Sequence, residues 1–361
     1  MGKKLDIGDT NGKARKVKKL WFGGTDGKAR KIKKMWIGDA SGKARLFFSG
    51  GASILIKAAI VSTNNPAQYS LDGGTTWTDS NGPTSTTHIA TNGKVVCASV
   101  GQSDSSHIQY THDGAIWTRV LEDLGYRFNV SRVTHIDEKG EFLCIPYKSV
   151  GSSSYSYVLR SLDGIEWEEA TVKVANTAIQ SRVAYDPIHD KYFAVDNTDN
   201  KKYVYWVSAD ELMTKNLWNY SSSAKNCNNI AADKSGRVLA FMTDTANGGY
   251  YIPLYTLDGG TTWTQGTKLS FSASYLYWVE GRFYAIYNQA NSYMYYSADG
   301  LAWTKCTGAM SAHVQRAEAV LDYDGDKFRF SGGNNLYESS DGVNWSKVYT
   351  FASSAFVTHI E

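Results

Sequence analysis

The segment Ser70–Trp77 reads SLDGGTTW. Asp-Gly favours a tight turn, with glycine taking the positive φ. The Asp72 carboxylate can accept backbone N–H bonds across its own turn, and the Ser70 hydroxyl can join it. Trp77 then returns into the protein with a large apolar area to bury. One such turn means little, but the pattern recurs. It is THDGAIW at Thr111–Trp117, SLDGIEW at Ser161–Trp167 and TLDGGTTW at Thr256–Trp263. It continues as SADGLAW at Ser297–Trp303 and SSDGVNW at Ser339–Trp345, with a degenerate copy, SADELMTKNLW, at Ser208–Trp218. The turn aspartates are Asp72, Asp113, Asp163, Asp210, Asp258, Asp299 and Asp341, at intervals of 41, 50, 47, 48, 41 and 42 residues. Such spacing fits one four-stranded unit per repeat. Seven of the 11 tryptophans (Trp77, Trp117, Trp167, Trp218, Trp263, Trp303 and Trp345) close these turns.

The repeat resembles the Asp-box of sialidase-like β-propellers, and the resemblance runs through residues 51–361. It implies a blade per repeat, with the box between the third and fourth strands. The other half of each blade reads as two apolar-alternating strands around a polar turn. HIATNGKVVCASV from His88, THIDEKGEFLCIPY from Thr134 and VAYDPIHDKYFAV from Val183 have this form. So do IAADKSGRVLAFM from Ile230, YWVEGRFYAIY from Tyr277 and AVLDYDGDKFRF from Ala319. The first box is preceded by one strand only, SILIKAAIVS. Thr358-His359-Ile360, near the end of the chain, matches Thr87-His88-Ile89 and Thr134-His135-Ile136. The expectation is an all-β, seven-bladed propeller whose C-terminal strand completes the first blade and removes the open sheet edges.

Composition agrees with a β fold: Tyr, Trp, Thr, Ser, Val and Gly are plentiful. The net charge of +3 hides a division. Residues 1–50 hold 14 basic and 4 acidic residues, +10, which leaves −7 for the remainder. A basic start without an apolar core is not a secretory signal, and no stretch is long and apolar enough to span a bilayer. Membrane insertion is not expected. Cys97, Cys144, Cys227 and Cys306 are scattered, without a Cys-x-x-Cys pair, and read as buried small hydrophobes.

Propellers carry many functions, so function rests on sites. A sialidase needs an arginine cluster, an acid/base Asp and a Tyr–Glu pair. The family's Phe/Tyr-Arg-Ile-Pro signature is absent, since SILIKAAIVS carries no Arg in that place. No catalytic residue is assigned, and no cofactor or metal is expected. The loops opposite the boxes are rich in Ser, Asn, Gly and Tyr and poor in Glu, which suits a glycan- or protein-binding surface. Candidate ligand contacts are Tyr155, Tyr203, Tyr250, Tyr251, Tyr287, Tyr293 and the inner-strand Trp278. His88, His135 and His359 hold matched positions. They could ring a channel as metal ligands, but Leu276 and Val320 at equivalent places favour packed or polar-bonded histidines. DYDGD, Asp322–Asp326, starts like a calcium loop yet falls where a hairpin turn is required.

The first 50 residues carry a different repeat. Gly-Lys-Ala-Arg starts at Gly12, Gly27 and Gly42, each time after a turn and before a short apolar stretch. Positive charge interleaved with Trp and Phe at a fixed period reads as a strand face more than a phosphate clamp, so nucleic acid is not the expected partner. So short a segment cannot bury its own aromatics and needs other copies or a docking partner. The unit GKARKxKK(L/M)W(F/I)G is similar to sequences of tail and baseplate proteins of phages of Gram-positive bacteria. That resemblance covers residues 7–48. It implies a virion tail protein: residues 1–50 an attachment and oligomerisation arm, as a homotrimer bound to other tail or baseplate proteins. Residues 51–361 would be a receptor-binding propeller for a host-surface glycan or protein. The alternatives are a propeller glycosidase acting on host polysaccharide and an architectural tail component.

Overall fold

The structure is a computed structural model. It describes residues 54–59, 66–101, 107–121, 132–150, 153–175, 183–195, 203–208, 216–219, 224–244, 250–271, 273, 275–286, 293–308, 320–353 and 355–360. Before these it describes only the backbone of six short strands. The chain forms two compact units, residues 1–53 with Glu361 and residues 54–360.

In the first unit the strands pair as antiparallel hairpins: Asp6–Gly8 with Ala14–Lys16, Leu20–Gly23 with Ala29–Ile32, and Lys34–Gly38 with Ala44–Ser49. Gly8 faces Ala14, Gly23 faces Ala29 and Gly38 faces Ala44. Each Gly-Lys-Ala-Arg tetrapeptide therefore starts the return strand of a hairpin, so the sequence period is the hairpin period.

The second unit is an all-β propeller, and no helix occurs among the described residues. Its first sheet runs Ala355–Ile360, Ile54–Ala59, Gln68–Ser70, Thr78–Asp79. The second runs Thr86–Thr91, Val96–Val100, His107–Thr111, Thr118–Val120. The third contains Thr134–Ile136, Glu141–Cys144, Tyr147–Val150, Ser153–Ser161 and Glu168–Ala175. Ala184–Asp186, Lys191–Val195, Tyr203–Ser208 and Asn216–Asn219 form the fourth, and Ala224–Ala232, Val238–Asp244, Tyr250–Thr256 and Thr264–Gln265 the fifth. The sixth runs Tyr275–Val279, Arg282–Ile286, Met294–Ser297, Thr304–Lys305. The last joins Val320–Tyr323, Phe328–Gly332, Asn335–Ser339 and Asn344–Thr350, with Thr307–Gly308 added in parallel. In the four-stranded sheets whose box is described, the box links the third strand to the fourth; in the third sheet it links Ser153–Ser161 to Glu168–Ala175, and in the last Asn335–Ser339 to Asn344–Thr350. Most of the degenerate copy, including Asp210, lies outside the described residues.

The sheets touch through apolar layers. Ile56, Ala67, Val96, Ala98 and Trp117 join the first two, and Cys97, Phe142, Cys144 and Leu159 the next pair. The third and fourth are joined by a buried polar knot. Glu141 is fully buried and accepts from Arg160 Nε and from the Tyr192 hydroxyl. Tyr275, Tyr284, Phe330 and Trp345 pack the sixth sheet on the last.

The last and first sheets meet at the C-terminal strand, which pairs with Ile54–Ala59 so that Ile360 faces Ile54. Its Val357 N–H donates to Ser331 Oγ at 2.9 Å. His359 Nδ1 lies 2.6 Å from Asp322 Oδ2, and the Thr358 hydroxyl donates to the same oxygen at 2.9 Å. On the other side the Thr91 hydroxyl donates to the His359 carbonyl at 2.9 Å. The last strand is thus bonded to three sheets.

Candidate functional site

The six described boxes share one pattern at the carboxylate, seen well at Asp341, and in five of them the tryptophan indole donates to the box glycine's carbonyl. Asp341 Oδ1 accepts the backbone N–H groups of Val343 and Asn344 at 2.8 Å each, and the Ser339 hydroxyl at 2.9 Å. The Gly342 N–H donates back to Ser339 Oγ at 2.9 Å. Trp345 Nε1–H donates to the Gly342 carbonyl at 3.2 Å. These donors favour the carboxylate form. Backbone donors at Asn344, partly opposed by desolvation, hold the Asp341 carboxyl well below its ordinary value. Asp258 falls to about 2, chiefly through the Thr262 hydroxyl and N–H. Asp72, Asp113, Asp163 and Asp299 are lowered too. In each of the six described boxes the carboxylate accepts hydrogen bonds from its own turn.

Three of the described boxes also take a hydrogen bond from a Lys or Arg side chain of the preceding sheet. Arg282 donates to the Asp341 carbonyl at 2.9 Å, and Lys191 to that of Gly259 at 2.7 Å. Arg237 donates to the Asp299 carbonyl. Gly342, at φ +72°, sits so close to Tyr284 that a Cβ would overlap the phenol oxygen. At Gly164 the nearest atom to such a Cβ would be Cys97 Sγ, at 2.6 Å. Glycine is needed there for sheet spacing as well as for the turn.

The histidines separate. His88 Nδ1 lies 2.9 Å from the Val133 carbonyl, His135 Nδ1 lies 2.8 Å from Asp137, and His359 is held by Asp322. Asp324 accepts from the N–H groups of Asp326 and Lys327 and pairs with Arg329, which is a hairpin turn. Among the described residues no His/Cys/Asp/Glu group could hold a metal ion. Cys97, Cys144 and Cys306 are buried, and desolvation raises their thiol pKa values, Cys306 to about 12.

The aromatic candidates are distributed unevenly. Tyr155 is half-buried and packs on the layer between the second and third sheets. Tyr203 and Tyr250 are described in backbone only, and Tyr287 lies outside the described residues. Tyr251 and Trp278 are half-buried against the layer between the fifth and sixth sheets, Trp278 4.6 Å from the Phe283 ring. Tyr293 is 41% exposed.

Around Tyr293 stand residues that the sequence did not single out. Lys305 faces Tyr295 across adjacent strands, which puts both on one face of the sheet. Tyr293, two residues before Tyr295, shares that face. Lys305 Nζ lies 3.2 Å from the centre of the Tyr293 ring. The Phe271 and Tyr295 rings are stacked, 3.7 Å apart and 4° from parallel, with Trp303 6.0 Å from Phe271. Tyr293 precedes the strand that runs to the box and Lys305 ends the strand that leaves it. The cluster therefore stands at the end of the sixth sheet remote from its box. Lys305 and Tyr295 could have been found by folding the sequence about SADGLAW. Phe271 could not, because it lies in a connection without a motif.

No protein-family model matches the chain, and no curated protein does. Solved structures match its fold. A candidate 6-phosphogluconolactonase from Bacteroides fragilis NCTC 9343 is 9% identical with a TM-score of 0.57, over 86% of this chain and 98% of that one. YCF48 bound to D1 peptide is 14% identical with a TM-score of 0.50, over 76% and 85%. The Hadza microbial sialidase Hz136 is 14% identical with a TM-score of 0.47, over 75% and 65%. At these identities the likeness concerns the fold alone.

Proposed function

We propose that the chain is a phage tail fibre or receptor-binding protein. Its second unit is read as a closed ring of seven blades, one for each sheet and each box. The arm attaches it to the virion tail and to other tail or baseplate proteins, and assembles it as a homotrimer. The loop face of the ring binds a host-surface glycan. The binding reading is carried by one observation: an exposed tyrosine with a lysine over its ring, beside a stacked aromatic pair, at the loop end of the sixth sheet. Aromatic faces stack on the C–H faces of sugars, and lysine supplies a donor for their oxygens. The attachment reading rests on the Gly-Lys-Ala-Arg repeat and its similarity to tail and baseplate proteins.

The arrangement of the carboxylates supports binding without hydrolysis. Glycoside hydrolysis uses a pair of them flanking one bond. The box aspartates are bound within their own turns, and Glu141 is fully buried under Arg160 and Tyr192. The test is a pull-down of the full chain with cell-envelope fractions of Gram-positive bacteria. Retention on the carbohydrate fraction, abolished by periodate, is expected. No retention on any fraction would sink the reading. Release of new reducing ends from the same material would replace it with a glycosidase.

A further inference from the structure

The stretch of sequence that carries the Tyr293 cluster departs in charge from residues 51–361 as a whole. Residues 51–361 carry a net −7, yet 259–279, 281–298 and 300–317 contain no Asp or Glu. The two acids that interrupt this run, Glu280 and Asp299, lie in turns at the box end of the sixth sheet. The basic residues of the run are Lys268, Arg282, Lys305 and Arg316. Arg282 is committed to the Asp341 carbonyl at the box end. Among the described residues Lys305 is exposed and forms no ion pair; its ammonium rests on the Tyr293 ring.

A cation parked on an exposed ring keeps its charge accessible, and it can exchange that ring for an anion at little cost. The ring then offers an apolar platform next to the charge. The stacked Phe271 and Tyr295 stiffen the neighbouring surface, so little side-chain freedom is lost on binding. A neutral sugar would use the platform and leave the ammonium idle. An anionic one would use both.

We propose that Tyr293 and Lys305 form an anionic-saccharide subsite, the pyranose ring lying on Tyr293 and its acid group paired with Lys305 Nζ. This rests on the glycan-binding reading and names the class of sugar.

The experiment measures binding of the full chain to immobilised polygalacturonate and to dextran, with Lys305→Gln, Lys305→Arg and Tyr293→Ala beside the parent. Both side chains are exposed, and equal thermal midpoints will show that the variants fold. Expected are binding to polygalacturonate but not to dextran, a loss of about tenfold in Lys305→Gln, at least as much in Tyr293→Ala, and retention in Lys305→Arg. The basic arm is the same in all four proteins. Unchanged binding in Lys305→Gln and Tyr293→Ala would therefore mean that the arm or another surface holds the polymer, and would overturn the subsite. Equal binding to dextran would overturn it as well. If the parent holds envelope carbohydrate while polygalacturonate fails, the subsite falls and the glycan-binding reading stands. If the parent binds neither, both fall.

Discussion

At the scale of single residues, box glycines such as Gly342 and Gly164 have two duties that a substitution can separate. Gly325 is also left-handed, at φ +83°, but nothing lies within 4 Å of a Cβ placed on it. Gly325→Ala should cost only the backbone strain, about 1 kcal/mol. Gly342→Ala adds overlap with Tyr284 and Phe328, and its cost should reach about 3 kcal/mol. Denaturant midpoints of the two variants measure the difference, and equal midpoints would show that the sheets part to admit a methyl group. The turn half of this duty was legible in the sequence, because Asp-Gly states its own dihedral. The spacing half was not, since Tyr284 and Gly342 are far apart in the chain and meet only when two sheets stack. Lys305 escaped for the same reason: its partner is a ring on a neighbouring strand.

Among elements, the C-terminal strand has a pH response on both the acid and the alkaline side. Asp322 beside His359 raises the imidazolium pKa against the opposing effect of burial, and His359 lowers that of Asp322. Asp324 favours the imidazolium and Arg329 opposes it. A histidine whose pKa is raised in the folded state stabilises fully below its unfolded value, near 6.5, and loses that contribution as pH rises through the folded value. The depressed Asp322 works the other way: its contribution is present above about pH 4 and lost on acidification. The pair should therefore hold the strand best between about pH 4 and 6.5 and relax on the alkaline side. His359→Gln should lower the thermal midpoint at pH 6 by more than at pH 9; an equal loss at both would mean that the histidine acts through packing alone. The inner hairpins were readable as elements because their alternation and polar turns are local. The His359–Asp322 partnership was not, because both residues lie on inner strands of different sheets.

For the whole molecule, the first sheet depends on residues from both ends of the ring. Without Ala355–Ile360, Ile54–Ala59 becomes an edge, and Leu55 and Ile56, now wholly buried, come to the surface. Open apolar edges recruit other chains. A chain truncated after Ser353 should unfold over a broader range than the parent and elute from gel filtration as aggregate. A sharp transition and unchanged elution would show that the remaining sheets close without it. The order of the described sheets follows from a motif that repeats in the sequence. The acid-poor run through the sixth sheet can be counted in the sequence, but that its two acids, Glu280 and Asp299, stand together at the box end needs the fold, because turns fall at one end or the other only once the strands pair.

The pairing of Ile54 with Ile360 also has a consequence for synthesis. At about 5–20 residues per second, the strand Ile54–Ala59 leaves the ribosome roughly 15–60 seconds before its partner exists. Through that interval an aliphatic strand waits with one flank unclaimed while later sheets take shape beside it. A cell making many copies at once would expose many such flanks together. The yield of finished rings should then depend on how sparsely nascent chains are spaced, and on the holdase capacity of the cell, more than on the stability of the ring once it is closed.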